Sequence, residues 1–193
     1  MVRLFYDSVL PLFTPRPADQ VDSAYHFIYC DSETSHVIAT DGVKLIEIPD
    51  SLLEGKYQCY THYPFYRNLL FDCHNRLMRE MAYFFTSELA RTLEDRDPTS
   101  IFFPQIQIGK NVFHHQHLAA LLQVAYIRHT VRIYLRTDDA GAATVFTVGE
   151  VKVIIMPGIK SDISEIKNIN LIRDGKHEQK RDGSAADRTQ KAG

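Results

Sequence analysis

From Val131 onward the chain alternates apolar and polar side chains. Val131, Ile133 and Leu135 fall on one side, with Arg132, Tyr134 and Arg136 on the other, the pattern of a half-buried strand. Asp138-Asp139-Ala140-Gly141 interrupts the run before Ala143–Val148, and Gly149-Glu150 interrupts it again before Val151–Pro157. Three successive antiparallel strands joined by short turns follow from that punctuation. Ahead of them, Leu118, Leu121, Leu122, Ala125 and Tyr126 repeat at helical spacing, which predicts a helix from Phe113 to about His129.

The first half reads less evenly. Ala24–Cys30, His36–Thr40 and Val43–Ile48 are strand-like, and Asp41-Gly42 marks the turn between the last two because glycine accepts positive φ without a steric cost. The apolar positions of Met1–Phe13 fit a short helix that Pro11, Pro15 and Pro17 bring to an end. Between Pro64 and Pro98, the residues Phe65, Leu69, Cys73, Leu77, Met81, Phe84, Phe85, Leu89 and Leu93 recur three and four apart. That spacing predicts a long helix over 64–97, on the order of 40 Å if continuous, or two helices broken near Arg79–Tyr83. Ile101–Ile108 is a further strand, in which Pro104 marks an edge position or a bulge. From Asn170 the sequence is polar with mixed charge and no apolar period, the composition of a disordered tail. The expected organisation is one α+β domain over 1–169, with a helical insertion at about 61–98 and a tail over 170–193.

Composition narrows the function classes only a little. The 193 residues hold 22 Lys and Arg against 24 Asp and Glu, a net charge of −2 that excludes a polycation gripping nucleic acid over its whole surface. Three cysteines, Cys30, Cys59 and Cys73, lie far apart with no C-x-x-C pair, so neither a disulfide framework nor a zinc ribbon is expected. Without a signal-peptide pattern or a membrane-length apolar run, the expected setting is soluble and cytoplasmic. His114 and His117 would share a helical face, yet no third ligand accompanies them. Asp72-Cys73-His74 are adjacent on the long helix and point different ways. No Walker loop, dinucleotide fingerprint, nucleophile elbow or H-E-x-x-H is present. An enzyme would have to assemble its site from His62, Asp72, His74 and the stretch His114–His117. Neither a metal nor a cofactor is expected. Lys110, Arg128, Arg132 and Arg136, with His114 and His117, collect near the second helix and the strand after it; scattered surface charge accounts for them, and a non-specific contact to a nucleic-acid backbone is the functional alternative.

Two stretches together resemble one family. Ala39-Thr40-Asp41-Gly42-Val43-Lys44-Leu45 is similar to the A-T-D-G-H-R-L segment of bacterial DNA polymerase sliding clamps (the β subunit), and Val153-Ile154-Ile155-Met156-Pro157 is similar to the strand with which those clamps end. The helix and three strands before the second stretch match the order of a clamp domain. This resemblance implies a DNA-clamp-like antiparallel sheet carrying helices and the inserted helical segment. It also implies a non-catalytic role: an apolar groove that receives short linear motifs of replication proteins, with double-stranded DNA as a further partner. Thr40, Gly42, Val43, Lys44 and Leu45 would form one wall, and Ile154, Met156 and Pro157 the other. The family's His-Arg pair is Val43-Lys44 here, and the chain holds one or two domains where a ring needs about six, so encirclement would require a homo-oligomer of several copies. A phage or mobile-element origin is a further expectation. The rivals are the small enzyme above and an interaction protein that pairs through the long helix.

Overall fold

The alternating runs of the sequence become neighbouring strands of one sheet in the computed structural model, which describes residues 8–14, 28–31, 35–49, 82–95, 104–135, 140–160 and 165–173. A 3-10 turn, Leu10–Phe13, precedes strands β1 (Ile28–Asp31), β2 (His36–Thr40) and β3 (Lys44–Pro49). Strand β4 (Ala82–Phe85) leads directly into helix α1 (Thr86–Glu94). Strands β5 (Gln105–Ile108) and β6 (Asn111–His114) precede helix α2 (His115–Ile127), and β7 (Arg132–Leu135), β8 (Thr144–Val148) and β9 (Val151–Ile155) follow it. Two short strands, β10 (Ile166–Ile169) and β11 (Ile172–Arg173), come last. The class is α+β.

Eight strands form one antiparallel sheet in the order β1-β2-β3-β9-β8-β7-β4-β11, and three form a second sheet in the order β10-β5-β6. Period two decides which side chains meet in the interior. Ile46 and Ile48 of β3, Val153 and Ile155 of β9, Phe146 and Val148 of β8, Ile133 and Leu135 of β7 and Phe84 of β4 all enter one buried cluster. Leu89 and Leu93 of α1, Leu118, Leu121 and Val124 of α2, and Ile106, Phe113 and Ile169 of the small sheet complete it. Phe146 joins the layers, meeting Phe84 at 6.3 Å and Phe113 at 5.5 Å between ring centroids, both edge to face. Such pairs add about 0.5–1.5 kcal/mol beyond the area they bury.

The ends of the helices are tied to the strands around them. Thr86 opens α1 by donating its main-chain N–H to Val131 O at 2.9 Å and its hydroxyl to Thr130 O at 2.6 Å. His115 Nε2 donates to Leu93 O at 3.0 Å, satisfying a carbonyl of α1's last turn. Helix α2 ends in a Schellman arrangement: Thr130 N reaches Ala125 O at 2.9 Å and His129 N reaches Tyr126 O at 3.0 Å.

Several sequence expectations change. Ala82–Phe85 is a strand paired with β7, and the helix occupies only Thr86–Glu94. Its aromatic side chains satisfy helical and alternating patterns alike, but Phe84 is fully buried while Tyr83 and Phe85 share the opposite face in edge-to-face contact. The rest of the expected helix, residues 64–81, lies outside the described residues, as does Ala24–Phe27. His114 ends a strand instead of lying inside α2, because Asn111–His114 pairs with β5. β5 is the central strand of its sheet, and Pro104 stands just before it, where no ladder donor is needed. Order also continues past residue 169, since Ile172 and Arg173 pair with Tyr83 and Ala82; residues 174–193 lie outside the description. Among the described residues, no helix is long and apolar enough to cross a membrane.

Candidate functional site

The turn between β2 and β3 is fixed from within. Asp41 Oδ1 accepts from the N–H groups of Val43 at 3.0 Å and Lys44 at 2.9 Å, and its other oxygen pairs with Lys44 Nζ. Thr40 Oγ1 donates to Lys44 O at 2.9 Å and accepts from Gly42 N at 3.0 Å. Gly42 has φ +86°, a conformation L side chains rarely adopt. Lys44 Nζ stands 5.8 Å from the ring centroid of Phe13, which anchors the turn to the 3-10 segment.

Beside this turn runs the end of β9. β3 and β9 are antiparallel neighbours, with Lys44 opposite Ile155 and Leu45 opposite Ile154. The pairing extends one bond further, from Met156 N to Val43 O at 2.9 Å. Thr40–Leu45 and Ile154–Pro157 are therefore side by side. Within the two stretches exposure divides sharply. Val43 is 42% and Met156 41% exposed, whereas Leu45 is 3% and Ile154 2% exposed. Leu45 and Ile154 thus pack within the sheet and offer almost no surface, while Val43 and Met156 form an apolar strip in contact with solvent. Pro157 is half-buried.

Two bonds hold the chain beyond the strip: Gly158 N donates to Val112 O at 2.7 Å and Gln105 Nε2 to Ile159 O at 2.8 Å. Gly158 passes so close to His114 that a Cβ there would lie 2.9 Å from the imidazole Nε2. The His114 ring in turn meets that of His117 at 5.7 Å, edge to face. Burial, the first cause, and then the charge of Lys44 hold His117's protonation below its ordinary value of 6.5; Asp41 opposes this and His114 adds to it. Its Nδ1 is buried and finds no hydrogen-bond partner among the described residues. The stretch His114–His117 therefore holds an exposed ring, His114, a half-buried ring, His115, and a buried ring, His117. Nothing in the spacing of the sequence distinguishes the three.

On the same sheet's outer face lies a polar cluster that the sequence does not announce. Glu47, 3% exposed, takes His36 Nδ1 at 2.5 Å and Lys152 Nζ at 3.3 Å. Cross-strand register could have suggested it, because Glu47 stands opposite Lys152 and His36 occupies the end of the neighbouring strand.

Among the described residues, Lys110 stands apart from Arg128 and Arg132. Lys110 lies in the β5–β6 turn next to Asn111, whose side chain binds Ala142 O, Thr144 Oγ1 and Gly141 N at the start of β8. Arg128 lies at the other end of β8, beside Gly149 and 3.8 Å from Glu150, roughly 15 Å away along a five-residue strand. Arg132, at that same end, places its guanidinium 4.9 Å from the centroid of Tyr83. Arg136 lies outside the described residues, as do His62, Asp72 and His74. Among the described residues, no group of three His, Cys, Asp or Glu side chains could hold a metal ion.

No protein-family model matches the sequence, and no curated protein sequence does. Solved structures do resemble it. The DNA polymerase III subunit beta of Pseudomonas aeruginosa superposes with a TM-score of 0.51 at 10% identity, over 82% of this chain and 64% of that one. The beta sliding clamp of C. crescentus gives 0.49 at 10% identity, over 82% and 63%. At this identity the likeness is one of fold: the chain has a sliding-clamp-like fold and spans less than two thirds of the length of the clamps it matches.

Proposed function

We propose that this protein is a non-catalytic, sliding-clamp-like binding module that takes short apolar peptide segments of replication proteins on the strip between Val43 and Met156. One observation carries the reading: the β3–β9 pairing ends in a bond between Met156 N and Val43 O, leaving both side chains in solvent at the margin of a fixed turn. Methionine suits such a surface because its unbranched, polarisable side chain repacks around different partners. Thr40, Gly42 and Lys44 hold the turn in shape, Leu45 and Ile154 support it from within the sheet, and Pro157 continues its margin. A peptide held there would be read by a few apolar anchors.

Double-stranded DNA is the second partner of this reading, carried by Arg128 and Arg132 at one end of β8. The helices add little positive charge. The exposed residues of α2 include Gln116, Ala119, Gln123 and Tyr126, and α1 sets Arg91 against Glu88 and Glu94. A contact through so few cations has a shallow salt dependence. Closing around DNA would take several copies, and the mass in solution measures their number.

The test is fluorescence anisotropy with a labelled octapeptide carrying leucine and phenylalanine anchors. Val43→Asp with Met156→Asp abolishes binding and leaves the circular dichroism spectrum and melting temperature in place. Unchanged affinity in that double variant rejects the strip.

A further inference from the structure

We infer that the sheet face turned away from the helices, where β11, β4 and β7 meet, is a stacking platform for single-stranded nucleic acid. Register decides which side chains share that face. Phe84, Ile133, Leu135, Phe146 and Val148 enter the core, so the alternate positions of β4, β7 and β8 point the other way. There Ile172 stands opposite Tyr83, Tyr83 opposite Tyr134, and Phe85 opposite Arg132. Tyr134 continues the row to Thr147 of β8. The Tyr83 ring lies 5.6 Å from that of Tyr134 and 5.8 Å from that of Phe85, and the Arg132 guanidinium stands 4.9 Å from the Tyr83 centroid. The three rings are half-buried, while Arg132 and Ile172 are exposed.

Charge and ring content together select the occupant. Among the described residues, the outward positions of β11, β4, β7 and β8 hold one cation, Arg132, and no acid. Lys152, next along the row, is paired with Glu47, and Arg128 at the same end of β8 lies 3.8 Å from Glu150. An anionic chain meets no opposing charge on these strands. A duplex, however, presents mainly phosphates, and so few cations give it little to hold. A single strand offers its base faces, and each base stacked on an aromatic ring adds roughly tenfold in affinity. An apolar peptide would use the rings and gain nothing from Arg132, whereas a nucleotide uses both. The platform shares its sheet face with the strip of Val43 and Met156 but lies on other strands, and it stands without peptide binding. It also goes beyond the duplex contact read from Arg128 and Arg132.

The experiment measures fluorescence anisotropy of labelled thymidine and uridine dodecamers, and of a duplex of the same length, titrated with the full chain. The expected result is tighter binding of a single strand than of the duplex, the better of the two dodecamers assigning DNA or RNA. Tyr83→Leu with Tyr134→Leu keeps apolar bulk, removes two rings and lowers single-strand affinity at least about tenfold. Tyr83→Phe with Tyr134→Phe keeps the rings and stays within about threefold of the parent. Arg132→Gln lowers the slope of log affinity against log salt by about 0.7. Ultraviolet cross-linking of a bromodeoxyuridine strand to the parent reads the contact without any variant, with adducts expected on β4 and β7. A duplex bound as tightly as either dodecamer overturns the inference and leaves the duplex contact standing. Equal affinity of the parent and the leucine variant overturns it too, as do adducts confined to other segments or a failure of both dodecamers to bind.

Discussion

The main-chain nitrogen of Met156 donates to the carbonyl of Val43 at 2.9 Å, and the two side chains emerge beside that bond 41% and 42% exposed. Strand pairing normally carries apolar side chains into a core. Here it ends by presenting two of them to water, at a turn that Asp41 and Thr40 keep in one shape.

Burial separates the residues around that bond into those that hold the fold and those free to bind. Leu45→Ala removes a side chain only 3% exposed and should lower stability by about 2–5 kcal/mol in a urea titration. Met156→Asp should shift the urea midpoint little and abolish peptide binding. If the two variants unfold at the same midpoint, the division by burial is wrong.

Glu47 is the buried member of a three-part cluster, with His36 and Lys152 27% and 23% exposed. Glu47→Ala removes a buried acceptor from His36 and Lys152, whose side chains are able to turn toward water. Its cost should therefore be about 2–3 kcal/mol, below what a wholly buried pair would lose. Glu47→Leu restores volume and should cost less than the alanine variant. Chemical denaturation of both variants decides the order.

How much of this was legible in the sequence differs from element to element. The strands β7, β8 and β9 were plain, because β7 alternates cleanly and turn sequences separate it from the β-rich runs of β8 and β9. Phe84 and Phe85 misled, since their spacing to Leu89 fits a helical stripe and the partner that makes Ala82–Phe85 a strand, β7, lies far along the chain. β6 was hidden for the same reason: Phe113 fits the stripe of α2 and also the ladder with β5. The contiguity of the two strip segments came from resemblance, not from periodicity, which carries no information on which strands become neighbours. His117 could not be told from His114, because burial of a lone histidine depends on what the rest of the fold places over it.

Helix α2 ends with His129 at φ +50°, in the left-handed position where glycine is usual. His129→Gly should raise stability by about 1 kcal/mol by relieving the Cβ contact. Thermal unfolding monitored at the far-ultraviolet helical signal measures it. A lowered melting temperature would show that the imidazole makes a contact worth more than the strain.

Burial, then the charges of Lys44 and His114 against the opposing Asp41, keep folded His117 from protonating until below its ordinary 6.5. The unfolded chain takes that proton first as the pH drops, so between the two values it binds more protons than the folded protein. This contribution to stability is complete above 6.5 and is lost as the pH falls beneath it. His117→Phe removes it. Going from about pH 7.5 to about pH 5.5, the melting temperature of the parent should fall more than that of the variant. Parallel curves would mean that the folded environment leaves this imidazole's protonation unchanged.

Glu47 and Lys152, 105 positions apart, face each other across the junction of β3 and β9, the third and fourth strands of the eight-stranded order. Early and late parts of the polypeptide must find each other before that seam can close, and such long-range closure is slow to form. A ribosome-bound chain that has not yet released β9 therefore lacks Met156, one side of the strip proposed above to take peptides. A fragment stopping short of Val151 should accordingly leave the labelled octapeptide unbound.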